Sequence, residues 1–224
     1  MKLFLFDLDG TLLTTDGAGR AALRLASADV FGVAEDLSNI AIAGNTDSRI
    51  GREILTKHGI PVNEATLNRL LGAYLARLVD QLKASPGRIL PGVMQVLERV
   101  IRAQVGVGLL TGNLRRGADL KLGAHGVKRF FEFGAFGDDD FDRNKLGPIA
   151  LERAQAWYKT SFAPDDVFVI GDTPRDVACA RAFGARAVAV ATGQYSSEEL
   201  AATQPDFLFA DLSDIKKVGG RLGF

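Results

Sequence analysis

The chain has 224 residues, with 27 basic and 27 acidic side chains and a formal net charge of zero. That length fits one domain, or one domain with a modest insertion. The even charge excludes the basic footprint of a nucleic-acid binder, and no apolar run reaches the roughly 20 residues of a bilayer span. A single cysteine excludes an internal disulfide, and the apolar stretch before Asp7 is too short for a secretory leader, so the expected compartment is the cytoplasm.

In chain order, Leu3-Phe4-Leu5-Phe6 is the first of several short apolar runs, and it ends on Asp7-Leu8-Asp9-Gly10-Thr11. From Thr14 to Pro86 no strand pattern occurs. Helices are predicted over Ala18–Phe31, Asp47–His58 and Asn63–Lys83, with Gly32, Gly44, Gly59 and Pro61 as breaks. Apolar residues at Val93, Val96, Leu97, Val100 and Ile101 predict a helix over Pro91–Ala103. The run from Val105 to Leu110 then meets Thr111-Gly112-Asn113, and Val167–Ile170 meets Gly171-Asp172-Thr173-Pro174. Helices are expected over Leu146–Tyr158 and Pro174–Phe183, with weaker strands near Ala187–Ala191 and Phe207–Phe209.

Runs this short and continuous suit strands covered on both faces, and strands alternating with helices build βαβ units. The expected fold is α/β, a Rossmann-like open parallel sheet with an inserted helical cap domain. Residues 1–13 and 87–224 form the core in this reading, and residues 14–86 form the cap.

In open parallel sheets ligands bind beyond the carboxyl ends of the strands, where the notable polar residues fall. Asp7 and Asp9 leave the first strand, and Gly10 lets the chain bend so that both reach one site. Asp172 and Asp176 leave another. Converging carboxylates repel unless a cation neutralises them, and oxygen ligands without His or Cys favour Mg²⁺. A carboxylate is also a competent nucleophile toward a phosphoryl group. Thr111, Gly112 and Asn113 offer donors for phosphoryl oxygens, and Lys145 offers a point charge. Asp9 is placed to protonate a leaving alcohol and later to activate water.

These segments resemble the signature motifs of the haloacid dehalogenase-like hydrolase superfamily. Asp7-Leu8-Asp9-Gly10-Thr11 matches D-x-D-G-T, Thr111-Gly112-Asn113 is similar to [ST]-G-N, and Gly171 to Asp176 matches G-D-x-x-x-D. The third motif, normally K-P-x-P, is represented by Lys145-Leu146-Gly147-Pro148, with Arg143 two residues upstream. The resemblance implies that Asp7 is the phosphorylated nucleophile and a Mg²⁺ ligand. It implies that Asp9 is the acid/base and gives its backbone carbonyl to the metal. Asp172 is then the third protein ligand, Asp176 supports the metal, and Thr111, Gly112 and Lys145 hold the phosphate. A helical cap after the first motif resembles the phosphoglycolate phosphatase-like members, whose G-[RKN]-T-D stretch is matched by Gly44-Asn45-Thr46-Asp47.

The function expected is a Mg²⁺-dependent phosphatase of a small phosphorylated metabolite, with Asp16, Arg20, Asn45 and Arg49 as cap residues facing the site. A sugar phosphomutase on the same scaffold needs the same two aspartates, but such mutases usually carry a G-x-S-R cap loop, where this chain has Asn45-Thr46-Asp47. A dehalogenase lacks an acid at the position of Asp9. A non-catalytic phosphate-binding relative would have lost a carboxylate, and none is lost. No nucleic acid or membrane partner is expected, and the oligomeric state is not legible. Cys179 reads as a small core residue. His58 and His125 read as helix-end residues, and Asp138-Asp139-Asp140 reads as a solvated loop.

Overall fold

Residues Leu3–Phe6 form strand β1 and are buried on both faces, as an unbroken apolar run at the centre of a parallel sheet requires. The computed structural model describes residues 1–224. A short strand β2 (Leu13–Thr14) leads to three helices, α1 (Ala18–Phe31), α2 (Asp47–Lys57) and α3 (Glu64–Ala84). A second short strand, β3 (Arg88–Ile89), precedes α4 (Val93–Arg102), β4 (Gly106–Leu110), α5 (Arg115–Ala124) and β5 (Gly134–Ala135). The chain then runs through α6 (Leu146–Tyr158), β6 (Val167–Gly171), α7 (Pro174–Ala182), β7 (Arg186–Val190), α8 (Ser197–Ala202), β8 (Phe207–Phe209) and α9 (Ile215–Leu222).

Six strands form one parallel sheet in the order β5-β4-β1-β6-β7-β8, so the fold is α/β and Rossmann-like. Alternation sends Leu3 and Leu5 into the apolar layer on one face and Phe4 and Phe6 into the layer on the other. Phe4 meets Phe168 edge-on with ring centroids 5.1 Å apart, which ties β1 to β6. Strand order reverses around β1, and the crevice at its carboxyl end is where such sheets bind ligands.

Helices α1, α2 and α3 pack around their own apolar core, which includes Ala22, Ile54, Leu70 and Tyr74 and takes in Leu114 from below. Helix α3 starts with a reciprocal Asn63/Thr66 cap. The helical layer is joined to the sheet by an antiparallel ribbon in which Leu13 pairs with Ile89 and Thr14 with Arg88. That ribbon is two residues per strand, too short to show a period, so the division after residue 13 falls inside β2. Strand β5 and helices α5 and α8 likewise lack a clear periodic signal, whereas α9 carries Ile215, Val218 and Leu222 at helical spacing. No helix is long and apolar enough to cross a membrane.

Candidate active site

The ladder of β1 continues one residue beyond the strand. Asp7 N–H donates to Ile170 O at 2.9 Å, which delivers the Asp7 side chain to the carboxyl edge of the sheet. Thr111 N–H donates to Ala135 O at 3.0 Å and is placed in the same way beside it. Gly10 then turns at φ 83°, where a Cβ would collide with the Asp172 carboxylate. Asp172 Oδ1 accepts from the Thr11 hydroxyl at 3.1 Å. Helix α7 opens with Thr173 as N-cap. Asp176 reciprocates, its Oδ2 accepting from Thr173 N–H at 2.9 Å and from Thr173 Oγ1 at 2.7 Å.

Asp7, Asp172 and Asp176 are buried, and each offers a carboxylate oxygen within 4.8 Å of the others. Burial pushes the pKa values of Asp7 and Asp172 up, and the neighbouring carboxylates push the same way. The counter-charge is Arg143, in a 3₁₀ turn before α6 and only 6% exposed. Its Nη2 donates to Asp7 Oδ1 at 2.8 Å and also to Asp176 Oδ1. Burial opposes the Arg143 charge, but Asp176 and Asp7 outweigh it and hold the guanidinium protonated. With all three ionised, three carboxylates against one guanidinium leave two negative charges in excess. A hard divalent cation, with its preference for oxygen donors, fits that deficit and that donor set.

Asp7 and Asp172 floor a cavity of about 300 Å³ between the sheet and the helical layer. The Asp9 carboxylate turns away from the triad toward that cavity. Its Oδ2 accepts from Lys121 Nζ at 2.6 Å and from Asn113 Nδ2 at 2.8 Å. Asn113 also donates to Thr111 Oγ1 at 2.9 Å and accepts from Lys121 at 2.6 Å. The cap loop sits directly on the core loop. A Cβ on Gly112 would strike the Asn45 carbonyl, and Gly112 O accepts from Asp47 N–H at 2.7 Å. Asp47 Oδ2 accepts from Leu114 N–H at 2.8 Å, Thr46 donates to Phe141 O at 2.8 Å, and Ser48 donates to Gly137 O at 2.6 Å. Burial raises the Asp47 pKa to about 6 despite the attraction of Lys121.

The residues expected from sequence divide clearly. Asp7, Asp9, Thr111, Gly112, Asn113 and Asp172 line the cavity, with Arg20 and Asn45 on its cap side. Asp176 lies just behind, against Arg143. Lys145 does not line it. Its side chain is 61% exposed and pairs with Asp140 at 3.3 Å, so the basic group beside Asp7 is Arg143. Two residues along a turn of three residues per turn do not share a face. Both amide hydrogens of Asn113 are taken up within the protein, so its side chain braces Asp9 and Thr111 and offers no free donor to a phosphate. Asp16 belongs to the ribbon, accepting from Arg88 at 3.1 Å, and Arg49 pairs with Glu53 along α2; neither lines the cavity. Lys121 and Tyr74 line it with no motif to mark them. The one sequence signal for Lys121 is its place at helical spacing from Gly117 and Ala118, both buried.

A Rossmann-like parallel sheet with an acidic, oxygen-only centre at its carboxyl edge and a helical layer closing over it places the chain among capped α/β proteins of the Rossmann-like class. The haloacid dehalogenase-like hydrolase family model matches residues 4–190, and the chain belongs to that family. It is similar along nearly its whole length to phosphoglycolate phosphatases. The one from Vibrio parahaemolyticus is 27% identical, with 97% of this chain and 96% of the relative covered. The one from Synechococcus elongatus is 30% identical, with 96% and 95% covered. A solved structure of beta-phosphoglucomutase from Clostridium difficile shares the fold at a TM-score of 0.79 and 18% identity, covering 99% of this chain and 97% of that one. This chain is an enzyme of the phosphatase type.

Proposed function

We propose that the protein hydrolyses a small phosphomonoester in two steps through an aspartyl-phosphate on Asp7, with Mg²⁺ as cofactor. The observation that carries this reading is the division of the two aspartates. Asp7 sits within the acidic triad against Arg143, whereas Asp9, two residues on, is held at the core wall of the cavity by Lys121 and Asn113. One carboxylate is held for attack and the other for proton transfer.

Asp7, Asp172 and Asp176, with the backbone carbonyl of Asp9, are the residues that would hold the metal. Bound there, Mg²⁺ supplies positive charge to the phosphoryl oxygens and keeps the Asp7 carboxylate ionised. Thr111, with its hydroxyl hydrogen unused by the protein, the Gly112 loop and Arg143 receive the phosphoryl group. Asp7 attacks phosphorus and displaces the alcohol oxygen, which takes its proton from Asp9. Asp9 then removes a proton from the water that cleaves the acyl-phosphate, returning Asp7 to its free carboxylate.

A cavity of about 300 Å³ suits a small metabolite. Arg20, exposed to the cavity without an ion-pair partner, suits a second acidic group on that metabolite, as phosphoglycolate carries. The buried thiol of Cys179 fits a reducing compartment such as the cytoplasm.

Release of inorganic phosphate from a panel of small phosphate esters tests the reading. Turnover should vanish with EDTA, return with Mg²⁺ and be inhibited by Ca²⁺. EDTA-insensitive turnover, or full activity in Ca²⁺, would contradict the metal assignment, and no release from any ester would contradict the function.

A further inference from the structure

Lys121 is the most unusual charged residue in the molecule. It sits on the buried face of α5 with Gly117, Ala118 and Leu122, and its side chain is only 4% exposed. Lysine is almost never buried unless paired, and here the pairing is specific. The ammonium bridges Asp9 Oδ2 and Asn113 Oδ1, each at 2.6 Å. Helices of the cap close over it: a Cβ on Gly19 of α1 would lie 3.7 Å from Nζ and 3.9 Å from the Tyr74 hydroxyl of α3.

The consequence falls on Asp9. Its side chain is 41% exposed, far more than the triad, and carboxylate rotation about the terminal torsion is soft. Two donors from two different elements, Lys121 and Asn113, converge on the same oxygen, Oδ2. They fix the carboxyl plane and leave Oδ1 without a protein partner. A proton carried by Asp9 can then reside only on Oδ1, because Oδ2 is occupied as an acceptor twice over. We infer that Lys121 is a positioning residue for the reaction, acting through Asp9 to aim Oδ1 at the oxygen of the departing alcohol. Acid help of this kind contributes about 10²–10⁴-fold when the proton is well placed, and much of it is lost when the donor rotates away.

This inference rests on the phosphatase reading and has its own test. Lys121→Met keeps the length of the side chain and removes its donors. The readout is kcat/KM, which covers the steps through phosphorylation of Asp7, for an alkyl phosphate and for p-nitrophenyl phosphate. The alkyl ester needs a proton on its leaving oxygen and the nitrophenolate needs little. Lys121→Met should lower kcat/KM at least 10-fold for the alkyl ester and less than about threefold for the aryl ester. In an Asp9→Asn background the same substitution should add less than about twofold, because the group it positions is gone. Equal losses for both esters, or a full additional loss on top of Asp9→Asn, would mean that Lys121 serves the substrate or the fold directly and would overturn the inference. An unchanged rate for Lys121→Met would overturn it too. Should Lys121→Met not fold, Lys121→Arg keeps a paired buried charge but replaces the compact ammonium with a longer planar fork, and the alkyl-to-aryl ratio should still fall; an unchanged ratio would overturn the inference. If Asp9→Asn itself leaves the alkyl rate intact, the failure belongs to the phosphatase mechanism and not to Lys121.

Discussion

The two walls of the cavity are built differently. On the core wall the charged groups are engaged with one another: Asp7 and Asp176 with Arg143, Asp172 with Thr11, and Asp9 with Lys121 and Asn113. On the cap wall Arg20 has no ion pair, and the hydroxyl of the buried Tyr74 makes no hydrogen bond. The core wall is preorganised for one piece of chemistry, whichever ester arrives. The cap wall leaves donors free for whatever else the ester carries. Substitutions on the core wall should therefore act on kcat, and those on the cap wall on KM.

The strongest challenge to that contrast compares two neighbours. Arg143→Gln removes the guanidinium beside Asp7 and should lower kcat by about 10²-fold or more. Lys145→Gln, with its side chain in solvent, should stay within about twofold of the wild type. Comparable losses in steady-state assays of the two variants would put Lys145 back at the phosphate. A smaller effect is expected across the cavity. Arg20→Ala should raise KM about fivefold to tenfold for an ester with a second acidic group and leave p-nitrophenyl phosphate unaffected. A fall in kcat for both substrates would show that the cap wall takes part in the chemistry.

The smallest effect concerns the seam where the walls meet. The Asp47 pKa of about 6 in the folded chain lies above the ordinary carboxylate value, so the native state binds more protons than the unfolded state between about pH 4 and pH 6. Stability therefore falls as pH rises through that window, and the cost persists above it. Asp47→Asn does not titrate, and its carbonyl can still accept from Leu114 N–H. From about pH 4 to pH 7 the variant should gain on the order of 1–3 kcal/mol relative to the wild type in urea unfolding. Parallel pH profiles would show that Asp47 is solvated at the seam.

Asp7, Thr111 and Asp172 are legible in the sequence because each directly follows a short buried strand. The sheet ladder carries such a residue to the carboxyl edge whatever else the chain does. The helices of the cap are legible from their breaks. Arg143 is harder to place. It lies in irregular chain between β5 and α6, where a motif letter favours Lys145 and only the rotation of the 3₁₀ turn decides which side chain faces inward. Lys121 is harder still, since Arg115–Ala124 carries few apolar residues to mark a helix face, and a lone lysine in a helix ordinarily reads as solvated. Asp16 and Arg49 show the same limit from the other side. Both stand near cap landmarks in sequence, yet the ribbon and the outer flank of α2 use them. Local pattern locates an element, whereas the direction a loop or helix face takes comes from tertiary packing.

The central claim is that Asp7 carries the phosphoryl group. Rapid acid quench during turnover with Mg²⁺, followed by mass analysis of the peptides, tests it directly, and Asp9→Asn should lengthen the life of the species sought. The account predicts a phosphoryl adduct on Asp7, formed at a rate no slower than turnover and missing in Asp7→Asn, which should also lose more than nine-tenths of the activity. An unmodified Asp7 peptide during active turnover, or an Asp7→Asn variant that keeps more than a tenth of the wild-type rate, would contradict it.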